Sequence, residues 1–123
     1  ENFTQTLRDA GIATTEALLD KGATTGGRAA LVEATGISKA LILKWVNRAD
    51  LFRIKGIGEE YADLLEAAGV DTVPELAQRN PENLQAKLVE VNDEKKLVRR
   101  LPPLKSIETW VAQAKGLPRK ITY

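Results

Sequence analysis

The sequence predicts an all-α bundle of about eight or nine short helices, with tandem hairpins and an internal duplication. Three observations carry that prediction. Every periodic segment follows helical spacing, and none keeps a sustained period-2 alternation. Glycines, prolines and capping residues punctuate the chain at short intervals. The chain also repeats itself: Leu7, Ala10-Gly11-Ile12, Thr14 and Leu18 match Leu65, Ala68-Gly69-Val70, Thr72 and Leu76 at an offset of 58.

The first helix is expected from Phe3 to Ala10, closed by Gly11, a residue suited to a helix C-terminus. A second follows Thr14 and carries Ala17, Leu18 and Leu19 before Gly22. A third runs from about Thr25 to Ala34 and stops at Thr35-Gly36. Ser38 can cap the fourth, whose Leu41, Ile42, Trp45 and Val46 share a face. Asp50 is read as the cap of a single turn, Leu51 to Ile54. After Gly56-Ile57-Gly58, the residues Tyr61, Leu64, Leu65 and Ala68 follow the i, i+3, i+4, i+7 pattern up to Gly69. Pro74 and Pro81 suit first helical turns, the latter behind an Asn80 cap. Asn92 is expected to begin another short helix, ended by Pro102-Pro103. The last helix puts Ile107, Trp110, Val111 and Ala114 on one face before Gly116 and Pro118. Residues 119–123 read as a tail.

The duplication extends beyond its first match. Arg28-Ala29-Ala30-Leu31-Val32-Glu33 aligns with Gln85-Ala86-Lys87-Leu88-Val89-Glu90, and Trp45-Val46 aligns with Trp110-Val111. Two related halves, about 1–58 and 59–118, are therefore expected to pack as one domain, a size that 123 residues suit.

Composition narrows the chemistry. The chain has no Cys, which excludes disulfides, Cys-based zinc sites and thiol nucleophiles. It has no His, which removes the commonest general base and metal ligand. No convincing carboxylate constellation replaces them, so no enzyme, no cofactor and no small-molecule substrate is expected. No apolar run approaches the ~20 residues of a membrane span. A chain that lacks Met and opens on Glu1 is expected to be processed or cut from something longer. The expected compartment is the cytoplasm, or an organelle if the N-terminus is processed.

The net charge is +1, but it is unevenly spread. Residues 1–92 carry 10 Lys/Arg against 14 Asp/Glu, while residues 93–123 carry 8 against 3. Within that basic quarter, Lys95, Lys96, Arg99 and Arg100 have spacings that would align the cations on one side of a helix. Such a stripe can track phosphates, meet an acidic protein, or serve as a solvated face.

The strongest local pattern is Leu51-Phe52-Arg53-Ile54-Lys55-Gly56-Ile57-Gly58-Glu59-Glu60-Tyr61-Ala62-Asp63-Leu64-Leu65. Its glycines allow a tight reversal between helices, Ile57 can plug the turn into a core, and Ala62 permits close approach. Gly58 leaves amides bare at a helix N-terminus, where the dipole favours an anion. A near copy lies twenty residues earlier at Leu31, Ala34, Thr35 and Gly36-Ile37-Ser38, and a trace follows at Leu88, Val91 and Asn92-Asp93-Glu94.

On these residues, 28–69 resembles tandem helix-hairpin-helix motifs. Most of the chain is similar to an uncharacterised family of such proteins, catalogued as a domain of unknown function and sometimes labelled flap-endonuclease-like. The general resemblance implies sequence-independent binding of the nucleic-acid backbone. By position it implies phosphate contacts at the amides of Gly56 and Gly58, with Gly36 and Ser38 in the earlier copy. It also implies a monovalent cation at the carbonyls of Phe52, Ile54 and Ile57, with Lys39, Arg53 and Lys55 as the nearest cations. Against this, Glu59, Glu60, Asp63 and Glu66 follow the glycines, where a phosphate binder prefers Lys or Arg. The partner is therefore expected to be either nucleic acid, held by its backbone, or another protein.

Overall fold

In the computed structural model, which describes residues 2–123, the polypeptide forms eight α-helices and, among the described residues, no strand. They are α1 (Asn2–Asp9), α2 (Thr15–Gly22), α3 (Thr25–Thr35), α4 (Lys39–Leu51), α5 (Glu59–Ala67), α6 (Val73–Ala77), α7 (Pro81–Lys95) and α8 (Leu104–Gly116). Glu1, and the side chain of Phe3 that opens the predicted first helix, lie outside the described residues.

Local chemistry explains most boundaries. The hydroxyls of Thr14 and Thr24 accept from the amides of Ala17 and Gly27, and the side chain of Asn80 accepts from Asn83. Ser38 Oγ accepts from the Leu41 amide at 3.2 Å, opening α4 as expected. Each such cap is worth about 1 kcal/mol. Pro74 and Pro81 occupy first turns, where a missing N–H costs no helical bond.

The duplication is visible bond for bond at the first turn of each half. The Ile12 amide donates to Leu7 O at 2.8 Å, and the Val70 amide donates to Leu65 O at 2.8 Å. Between them, Gly11 and Gly69 take φ of 90° and 93°, left-handed values that only glycine reaches without strain. Helices α4 and α8 are both 13 residues long, with Trp45 and Trp110 at the same position in each.

Contacts divide the chain into two units, Glu1–Asp50 with Lys120–Tyr123, and Leu51–Arg119. The first has a core of Ile12, Leu18, Leu19, Leu31, Ile37, Ile42, Val46, Ala49 and Ile121, with Trp45 half-buried against it. The core of the second runs through Leu51, Ile54, Ile57, Ala62, Leu65, Val73, Leu88 and Ile107 to Trp110. The hairpin falls in the second unit, because Leu51, Ile54 and Ile57 all plug into its core.

Three segments differ from the sequence reading. No separate helical turn opens after Asp50; the residue sits 1% exposed inside α4, which continues to Leu51. Asn92 does not open a helix either, because α7 runs through it to Lys95 and residues 96–103 are irregular. The Asn92 side chain turns onto the following loop, accepting from the Val98 amide at 3.0 Å and donating to Val98 O at 3.1 Å. Residues 120–123 are not a loose tail. Ile121 is buried, Thr122 N–H donates to Ala23 O at 2.7 Å, and Lys120 pairs with Asp20 at 2.8 Å.

Candidate functional site

The residues singled out for binding fall on a hairpin in each unit and on the loop after α7. In the first unit, Gly36 ends α3 at φ 74°, and its amide donates to Val32 O at 2.9 Å. That amide is committed to the helix end. Ile37 is buried, while Gly36, Ser38 and Lys39 are exposed. Ser38 spends its hydroxyl on the α4 cap.

In the second unit, Gly56 adopts φ 97° and lies against the Trp110 indole, where an added Cβ would stand 2.9 Å from Nε1. Ile57 is 5% exposed and its amide donates to Ile54 O at 3.3 Å, so that carbonyl already has a partner within the chain. Gly58 leads into α5 with extended backbone and no side-chain cap. Its carbonyl accepts from the amide of Ala62, which is fully buried where the turn closes.

Helix α8 braces this hairpin, a feature that local sequence patterns do not reveal. Gln113 accepts from the Lys55 amide at 2.9 Å and donates to Lys55 O at 3.2 Å. Arg53 donates to Pro118 O at 2.7 Å just beyond the end of α8. The backbone of Lys55 and part of the Arg53 guanidinium thus hold the turn in place, while the Lys55 side chain is exposed. The available signal was weak: Gln113 is a polar residue one helical turn beyond Trp110, bordering the apolar stripe.

Lys95, Lys96, Arg99 and Arg100 are all exposed, but they do not form a helical stripe. Lys95 ends α7, Lys96 is its left-handed C-cap, and the two arginines follow in the irregular loop. Tyr61, in the first turn of α5, brings this loop beside the hairpin. Its hydroxyl donates to Arg100 O at 3.3 Å, and its ring packs on Trp110 at 5.4 Å between centroids. Since Trp110 in turn lies against Gly56, the hairpin and the basic loop belong to one neighbourhood of the second unit. Among the described residues, none of those four cations has an ion-pair partner.

Glu59 and Glu60 are exposed in the same first turn of α5, where the helix dipole favours them. Among the described residues no group of three or more acidic side chains is arranged to hold a metal ion. No helix among them is long and apolar enough to cross a membrane.

Fold and site together define an all-helical, internally duplicated protein with a braced hairpin beside a basic loop. The chain belongs to the family described as domain of unknown function (DUF4332), whose model matches residues 1–117. No solved structure matches it.

Proposed function

We propose that the chain is a non-enzymatic helix-hairpin-helix module that grips nucleic-acid backbone without sequence preference. The observation that carries this reading is the Tyr61 hydrogen bond to Arg100 O, which sets the unpaired Arg99-Arg100 loop next to Gly56-Ile57-Gly58. Cations on a rigid backbone neighbour are what a phosphate chain requires, and base edges need not be read. Buried Ile57 and Ala62, with Gly56 left-handed, support the hairpin assignment itself.

Glu59 and Glu60 decide from which side a phosphate can approach. At a Debye length of about 8 Å they oppose an anion at the amides of Gly56 and Gly58. The phosphates therefore run along Lys95 to Arg100 and meet the hairpin at its edge.

Fluorescence anisotropy of labelled duplex and single-stranded DNA, read at about 50 and 200 mM salt, tests this. Four phosphate contacts predict an affinity loss on the order of a hundredfold between those conditions. Arg99→Glu with Arg100→Glu is expected to abolish the saturable component. Absence of binding by either polymer at the lower salt overturns the reading, and a protein becomes the partner to seek.

A further inference from the structure

Lys96 occupies a backbone conformation that the fold elsewhere assigns to glycine. Its φ of 54° makes it the one non-glycine residue with positive φ among the described residues. Glycines hold the others, and one of them, Gly36, caps a helix in the same way. Gly36 ends the third helix of the first unit as Lys96 ends the third helix of the second. Both take left-handed backbone, and both cap amides donate to the carbonyl four residues back, Val32 O and Asn92 O, each at 2.9 Å.

A lysine is strained in this position, since its Cβ crowds the following carbonyl. The surrounding structure nevertheless holds it there. Asn92 clamps both backbone groups of Val98, Val98 is buried, and Tyr61 fixes Arg100 O. Among the described residues, no group makes a hydrogen bond or ion pair with the lysine side chain. It is exposed, and Lys95 already supplies a cation to the last turn of α7.

We infer that Lys96 is a phosphate-contacting lysine, kept in a left-handed position against the preference of its own backbone because the clamped loop aims it at the ligand. The inference rests on the backbone-binding reading above and adds a rule to it. Loop residues 95–100 form a preorganised grip, and binding and folding stability are opposed at residue 96. Asp93 and Glu94, exposed near the end of α7, flank the grip and define its acidic edge.

The test is the pair Lys96→Gly and Lys96→Ala in the full chain, followed by thermal unfolding and by DNA anisotropy across a salt series. Lys96→Gly is expected to raise Tm by about 3 °C while weakening binding at least threefold. It should also reduce the slope of log K against log salt by about 0.9 on duplex or 0.7 on a single strand. Lys96→Ala should lose the same binding without the rise in Tm, because alanine keeps the strained backbone. Unchanged affinity and slope in Lys96→Gly, with the wild type binding normally, overturns the inference and leaves the reading intact. A fall in Tm for Lys96→Gly also overturns it, since the lysine would then be serving the helix end. If the wild type binds no DNA, the reading itself fails, and the inference with it.

Discussion

Arg28 ties residues 122 and 123 to the first unit. It is 5% exposed, and its guanidinium donates to Gly22 O at 2.8 Å, Ala23 O at 3.2 Å and Thr122 O at 2.6 Å. Its cation also lies 5.5 Å from the centre of the Tyr123 ring, whose hydroxyl bonds to Asn47 Oδ1 at 3.1 Å. Arg28→Ala takes the charged donor from Gly22 O and Thr122 O and leaves Ala23 O with the Thr122 amide, so a loss of about 3 kcal/mol is expected in urea unfolding. Arg28→Lys should recover only part of it, because a point charge cannot span three acceptors. A variant as stable as the wild type would mean that the docked segment contributes nothing. None of this was legible in the sequence. Arg28 entered the reading only as part of the repeat, and its partner at Thr122 is 94 residues away. The residues of the hairpin were legible for the opposite reason: the roles of Gly56, Ile57 and Ala62 are local and follow from size and backbone conformation.

Single elements were read well where capping chemistry sets their ends, and less well where a polar side chain serves a distant loop. Helices α2 and α4 begin, and α8 stops, within a residue of their sequence signals, Thr14, Ser38 and Gly116. Helix α7 did not, because Asn92 looks like a cap and acts as a clamp on Val98. That change turned the expected helical stripe of cations into a fixed loop. Gln113 was missed for the same physical reason, its partner being the Lys55 backbone rather than a residue on its own helix. Gln113→Ala removes both bonds from the hairpin without touching the apolar face of α8. The expected outcome is a loss of about 1–2 kcal/mol, with faster amide exchange at Lys55. Unchanged exchange there would show that Trp110 against Gly56 holds the turn unaided.

For the whole molecule, the duplication found in the sequence is expressed in structure as two sets of four helices, α1–α4 and α5–α8, whose first turns share the same hydrogen bonds. The offset matches revealed this because capping threonines, turn glycines and the paired tryptophans are held in register by backbone geometry. The sequence did not reveal how unequally the two copies bury their side chains. Thr14 and Thr15 are exposed, while their counterparts Thr72 and Val73 are 6% and 0% exposed. Among the described residues, the core of the second unit holds twice as many buried residues as that of the first. Each fully buried Leu, Ile or Val contributes roughly 1.5–3 kcal/mol before entropy, so the imbalance exceeds any difference in caps or surface pairs. The first unit should therefore open first. In native-state hydrogen exchange, the amides of Leu18, Leu31 and Val46 are expected to exchange well before those of Leu65, Leu88 and Ile107. Two classes of protection, divided near Asp50, are the expected pattern. A single exchange free energy across both sets would mean that the copies unfold as one cooperative unit and that their unequal cores do not set the order of opening.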